Sequence, residues 1–165
     1  MAQIVIDGYN YINRIYASTV QRGATMELLR KDLLEKCARY KRAGGPRITV
    51  VFDAYGSYSP DRHSENYKGI NVVYSKEGET ADDVIIEKTR KNPPGLIVVS
   101  SDRAIIDAAK ASGVAFLTPV KLSEMMSGRR SEEEDDHEEV RHPKKGNPRK
   151  LPKKLRKVAK TIGKL

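Results

Sequence analysis

Five aspartates stand where apolar runs end or amphipathic runs begin. Asp7 follows Ile4-Val5-Ile6, and Asp53 follows Thr49-Val50-Val51-Phe52. Asp82 and Asp83 come just behind Thr80-Ala81, and Asp102 closes the run Leu96-Ile97-Val98-Val99-Ser100-Ser101. Carboxylates crowded together repel one another and stay ionised cheaply only beside a cation. Hard oxygen donors suit Mg²⁺ or Mn²⁺, ions that accept one or two carboxylates and keep waters for a phosphate substrate. Such ions activate water for attack on a phosphodiester and neutralise the departing oxygen. Each aspartate also has a plain structural use. Asp7-Gly8 can make a turn, Asp82 and Asp83 can complement a helix dipole, Asp102 can begin a helix, and Asp53 can simply end a strand. The structural uses leave unexplained why all of them would gather on one edge.

That edge exists only if the intervening segments form a parallel sheet. The runs Gln3–Asp7, Arg47–Asp53, Ile70–Tyr74, Leu96–Ser100 and Val114–Leu117 are short and rich in β-branched residues, as strands buried on both faces require. Between them lie helical patterns. Thr25–Ala43 places Met26, Leu29, Leu33, Cys37 and Tyr40 on one stripe and stops at Gly44-Gly45. Thr80–Lys91 opens Thr-Ala-Asp-Asp, a capping-box pattern, and ends before Pro93-Pro94. Asp102–Ser112 turns Ile105, Ile106 and Ala109 inward, and a last short helix is expected from Pro119 to Met126. This alternation predicts an α/β three-layer sandwich around a mainly parallel sheet. Ligands of such sheets bind outside the carboxyl ends of the strands. Ala54–Gly69 is read as the longest irregular stretch, overhanging that edge.

Four blocks carry a family resemblance: Val5-Ile6-Asp7-Gly8-Tyr9-Asn10, Val51-Phe52-Asp53-Ala54, Thr80-Ala81-Asp82-Asp83-Val84-Ile85 and Ser100-Ser101-Asp102-Arg103. In order and content the chain, from residue 1 to about 126, resembles NYN-domain ribonucleases of the PIN-like superfamily, above all their bacterial YacP-like branch. The resemblance implies a PIN-like α/β/α fold, a Mg²⁺- or Mn²⁺-bound acidic site and endoribonuclease activity. By motif, Asp7, Asp82, Asp83 and Asp102 would form the metal centre, with Asn10 orienting a ligand or the Asp7 loop and Asp53 as a supporting acid. It also implies action on mRNA at the ribosome.

Charge divides the chain further. Residues 1–128 carry a net charge of +3, residues 129–140 a net of −5, and residues 141–165 a net of +11. We expect a nuclease domain over 1–128, an acidic linker over 129–140 and a flexible basic tail over 141–165. In the tail Leu151, Leu155, Val158, Ile162 and Leu165 recur at helical spacing among Lys153, Lys154, Arg156 and Lys157. That pattern suits either a short amphipathic helix on RNA or a solubilising tail. Tyr55, Tyr58, Arg62, His63, Tyr67 and Lys68 interleave rings with cations, a composition that suits unpaired bases and their backbone, although an ordinary polar loop would look alike. Arg103, beside Asp102, joins them as an expected RNA contact.

A sequence pI near 9.6 implies a polyanionic partner. The lone Cys37 excludes an internal disulfide and cannot by itself build a zinc site. No secretory signal or long apolar run is present, so a cytoplasmic protein without stable membrane association is expected. Neither a P-loop, a dinucleotide fingerprint nor a nucleophile elbow occurs. The expected function is divalent-metal-dependent cleavage of single-stranded RNA, leaving 5′-phosphate and 3′-hydroxyl ends. The main rival is an inert RNA- or ribosome-binding module; a phosphatase or phosphotransferase trails, because Asp7-Gly8-Tyr9 is not an Asp-x-Asp pair.

Overall fold

The computed structural model describes residues 2–54 and 59–128. In chain order these form β1 (Gln3–Asp7), α1 (Gly8–Ile15), α2 (Ala17–Gln21), α3 (Met26–Arg42), β2 (Arg47–Phe52), β3 (His63–Tyr67), β4 (Ile70–Tyr74), α4 (Ala81–Lys91), β5 (Leu96–Val99), α5 (Arg103–Ser112), β6 (Ala115–Leu117) and α6 (Pro119–Ser127). The strands make one six-stranded sheet in the order β3-β4-β2-β1-β5-β6. All neighbours run parallel except β3, which pairs antiparallel with β4.

Strand periodicity explains the layers, because successive side chains point to opposite faces. Ile4 and Ile6 of β1, Val50 and Phe52 of β2 and Val99 of β5 pack with Tyr11 and Ile12 of α1, Leu33 and Cys37 of α3 and Leu122 of α6. The alternate residues Val5, Val51 and Val98 pack with Val84 and Ile85 of α4 and Ile105 and Ala109 of α5. Each fully buried aliphatic side chain contributes about 1.5–3 kcal/mol, so the two apolar layers together hold the sheet between the helices. Cys37 belongs to the first layer, where burial pushes its thiol up to about 12 and keeps it unreactive.

Three features differ from the sequence-based expectation. The stretch 54–69 is not irregular throughout, because His63–Tyr67 pairs with β4 as an edge strand. Helices also fill the interval after Asp7, where the Asp-Gly pair suggested only a turn. Gly8 is helical, and its value lies in close approach: a β-carbon there would sit 2.2 Å from the Phe52 ring. Finally, β2 and β5 stop at Phe52 and Val99, so Asp53 and Ser100 lie just past the strands.

β1 occupies the middle of the sheet. Connections toward β2 and β4 spread to one side of it, and β5 and β6 lie on the other, so the order reverses at β1/β5. The carboxyl ends of these two strands therefore open onto the crevice in which parallel α/β sheets bind ligands.

Candidate metal centre

Asp7 ends β1 and caps α1. Its Oδ1 accepts a hydrogen bond from the Asn10 backbone N–H at 3.5 Å, and its Oδ2 accepts one from the Ser100 hydroxyl at 3.3 Å. The residue is 5% exposed. Asp102 caps α5, its Oδ1 accepting from the Ala104 N–H at 2.9 Å. Ser100 joins the two, since its hydroxyl oxygen also accepts from the Asp102 N–H at 3.0 Å. Asn10 makes a second tie. Its Oδ1 accepts from the Ser101 N–H at 2.9 Å and from the Ser101 hydroxyl at 3.1 Å, while the Arg14 Nε donates to that same hydroxyl at 3.0 Å.

The first turn of α4 brings in the third carboxylate. Asp53 accepts a hydrogen bond from the Ala81 N–H, so the end of β2 holds the start of α4 in place. That leaves Asp82 interacting with both Asp7 and Asp102, and also within the field of Asp53. Burial first, then Asp102 and Asp53, hold the Asp82 carboxyl above its ordinary value. Asp7 is affected more: burial, followed by the charge of Asp82 and a smaller contribution from Asp102, pushes it up to about 7, although Asn10 and Ser100 act in the opposite direction. No lysine or arginine is paired with Asp7, Asp53, Asp82 or Asp102 among the described residues.

The structure does not bring Asp83 to this group. Its carboxylate accepts from the Thr80 N–H at 3.0 Å, while the Thr80 hydroxyl accepts from the Asp83 N–H at 3.1 Å. That reciprocal capping box keeps Asp83 on the exposed helix end. Asp53, read from sequence as a supporting acid, stands beside the cluster, where it accepts from the first turn of α4 and acts on Asp82.

The expected RNA contacts divide by position. His63 pairs with Tyr74 at the carboxyl end of β4 and so lies on the acidic edge. Tyr67 and Lys68 lie at the other end of the strand, where both engage Glu35. Arg62 is held by Glu79 and Glu87 at 2.7 and 2.6 Å. Arg103, its side chain 90% exposed, stands beside Asp102. Tyr55, Tyr58, Lys153, Lys154, Arg156 and Lys157 lie outside the described residues, as do the acidic linker and basic tail.

Ser100 is a site residue to which the sequence reading gives no role. The available signal was its place at a strand end, two residues before a candidate acid. A divalent ion fits what is here: an anionic group with no cationic side chain, containing a buried carboxyl that resists ionisation. Among the described residues no three His, Cys, Asp or Glu side chains form a ready-made metal cage. Mg²⁺ does not require one, since it keeps several waters and takes only one or two protein carboxylates. Nor is any helix among the described residues long and apolar enough to cross a membrane.

Comparison with known proteins agrees with this architecture. A family model described as the YacP-like NYN domain matches residues 4–162, a span that runs on through the charged segments. The chain is 33% identical over 82 residues to the uncharacterized protein YacP of Bacillus subtilis, a match covering 50% of this chain and 48% of that one. The chain thus spans about half the length of that curated relative. It is also similar to crystal structures of Rae1 (YacP) from Bacillus subtilis. A tryptophan-to-leucine mutant gives a TM-score of 0.62 at 24% identity, covering 94% of this chain and 91% of that one. A second structure gives 0.60 at 26% identity, covering 87% and 84%.

Proposed function

The chain belongs to the YacP-like NYN domain family, and we propose that it is a divalent-metal-dependent endoribonuclease acting on single-stranded RNA, ribosome-bound mRNA included. Membership in this family suggests a nuclease or RNA-related role. The observation that carries the finer reading is the meeting of Asp7, Asp82 and Asp102 at the β1/β5 crevice with no cationic side chain paired to them among the described residues.

In this reading Asp7, Asp82 and Asp102 supply the carboxylates that would hold Mg²⁺ or Mn²⁺, one or two of them directly, and Asp53 sets the position of Asp82 through the first turn of α4. When bound, the ion supplies charge neutralisation and a more acidic water for phosphodiester hydrolysis. Ser100 fixes the orientation of Asp7 and, through the Asp102 N–H, the start of α5. Asn10 locks the Ser101 turn to α1, so the β1 and β5 ends move as one unit. Asp83 keeps α4 capped and is left out of the ligand set. The products are 5′-phosphate and 3′-hydroxyl ends.

The test is a calorimetric Mn²⁺ titration of the wild type and Asp7→Asn, with RNA cleavage followed in parallel with and without ribosomes. Specific binding lost in the variant, together with metal-dependent cleavage by the wild type, is the expected result. A wild type that binds no divalent ion specifically would instead favour an inert RNA-binding module. Binding without cleavage of free RNA would move the substrate to the ribosome.

A further inference from the structure

Beside the carboxylates, on the β4 side of Asp53, lies a hollow of about 420 Å³. Its size falls within the range of small-ligand sites, roughly 300–1,000 Å³. Tyr9, Arg30, Asp53, Asp61, His63 and Tyr74 line it. Its rings form a continuous series. Tyr9 meets Phe52 at a centroid distance of 5.0 Å, Phe52 stacks on Tyr74 at 5.9 Å and 28°, and Tyr74 stacks on His63 at 6.0 Å and 30°. The series passes from the fully buried Phe52 through half-buried Tyr74 to His63, whose side chain is 65% exposed. Aromatic surface therefore emerges from the core at the rim of the acidic edge.

The charges in the hollow decide what it suits. Two carboxylates, Asp53 and Asp61, face it with one guanidinium, Arg30. Arg30 is already engaged: its Nη1 donates to the Tyr9 hydroxyl at 3.4 Å, and its guanidinium carbon lies 6.0 Å from the Phe52 ring centroid. Such a balance disfavours a phosphate. It suits a neutral heteroaromatic ring, which can stack on the aromatic faces and donate N–H groups to the carboxylates.

We propose that this hollow is a nucleobase subsite, taking one unstacked base of the RNA strand next to the phosphate that is cut. The proposal rests on the nuclease reading above. It deepens that reading by assigning the strand a fixed register: Asp53 borders both the hollow and Asp82, so a base in the hollow leaves its neighbouring phosphate at the carboxylates. The exposed His63 ring provides the stacking face, backed by Tyr74, which stands between Phe52 and His63 in the series, and Tyr9 closes the wall on the α1 side.

The full chain is titrated in EDTA, where cleavage cannot occur, with short single-stranded oligoadenylates and matched oligomers carrying one abasic nucleotide at successive positions. One abasic position is expected to weaken wild-type binding by about 5- to 150-fold, the range of base–aromatic stacking. His63→Ala should weaken the intact oligomer comparably and make that abasic position indifferent, because base and ring form one interaction. Tyr74→Phe, which keeps the ring behind His63, should bind like the wild type. Tyr74→Leu, which removes that backing ring, should show a smaller loss at the same position. Retention of the abasic penalty in a folded His63→Ala protein overturns the subsite, as does a wild type indifferent to every abasic position. Cleavage assays separate the two readings. His63-dependent base binding in a protein that neither binds Mn²⁺ specifically nor cleaves RNA with ribosomes present removes the nuclease and leaves a base-binding hollow, whereas cleavage equal in wild type and His63→Ala removes the subsite alone.

Discussion

Two acidic regions of this molecule are built on opposite terms. On the flank formed by β3, α3 and the outer side of α4, carboxylates have cationic partners. Arg62 bridges Glu79 and Glu87, Lys91 also reaches Glu87, Lys68 meets Glu35, and Lys36 meets Asp32. Each of these carboxyls is held below its ordinary value, Glu87 to about 2, chiefly through hydrogen bonds to these cations for Glu79, Glu35 and Glu87; for Asp32 the lowering contacts with Tyr16 and Lys36 outweigh burial. At the β1/β5 crevice Asp7 and Asp82 are pushed the other way, by burial first and then by the neighbouring carboxylates. The chain has cations in plenty, so scarcity does not explain the difference. Among the described residues the acids named on that flank have cationic partners and Asp7, Asp82 and Asp102 have none, the contrast on which the metal-binding proposal rests.

The largest effect should come from removing charge on the bare side. Asp82→Asn is expected to lower metal-dependent RNA cleavage by about 100-fold or more, exceeding the 10- to 100-fold typical of losing an outer-shell partner. Glu87→Gln, on the paired side, should leave it nearly unchanged. Comparing the two variants by gel-resolved cleavage rates puts the contrast at risk directly, since equal losses would erase it.

Next in size is a pH effect on the metal-free protein. Asp7 has a folded pKa raised from 3.8 to about 7, so between these values the folded state binds the extra proton. Its contribution to stability is then full below about pH 4 and is lost as pH rises through 7, an effect of a few kcal/mol. Thermal melts in EDTA across this window should fall with rising pH for the wild type and fall less for Asp7→Asn. Mn²⁺ added near neutral pH should restore the wild type and leave the variant unmoved. A wild-type curve without this slope would mean that Asp7 is compensated after all.

Ser100→Ala sharpens the comparison more gently. It removes the hydroxyl that donates to Asp7 and accepts from the Asp102 N–H. Loss of such a buried partner costs about 1–3 kcal/mol, measurable by denaturant titration near neutral pH. The Asp7 carboxyl should also titrate still higher by NMR; a downward shift would contradict its assigned role. Smallest of all is Arg62→Ala on the compensated flank. There the melting temperature should drop by about 2–4 °C at low salt. The difference should shrink near 1 M salt, where screening acts over about 3 Å. A drop insensitive to salt would point to lost packing instead of lost charge.

The sheet and the edge that carries the aspartates are legible in the sequence; the ion pairs of the other flank are not. β1, β2, β4 and β5 are apolar runs whose interior placement follows from composition, and Thr80, Asp102 and Pro119 mark helix starts. β3 was illegible because His63-Ser64-Glu65-Asn66-Tyr67 has no apolar alternation; its strand form comes from pairing with β4. α1 escaped notice because it is short and because Asp7-Gly8 also fits a turn, while the reason for glycine is the distant Phe52 ring. The pair Asp82-Asp83 was ambiguous for a geometric reason. Adjacent helix residues project in different directions, so only one can face the crevice, and spacing alone does not say which. The cluster's location was readable, but its exact membership depended on side-chain direction.

The polar strand β3 has a further consequence, for how copies of this chain meet. Without it, β4, with Ile70, Val72 and Val73, would present an open ladder of backbone donors and acceptors, the template on which strands of separate molecules add. β3 occupies that ladder with an exposed ribbon carrying His63, Glu65 and Asn66, and β6 ends the other side after three residues. The sheet thus has a selvedge on both margins: a charged hem on one and a hem too short to catch on the other.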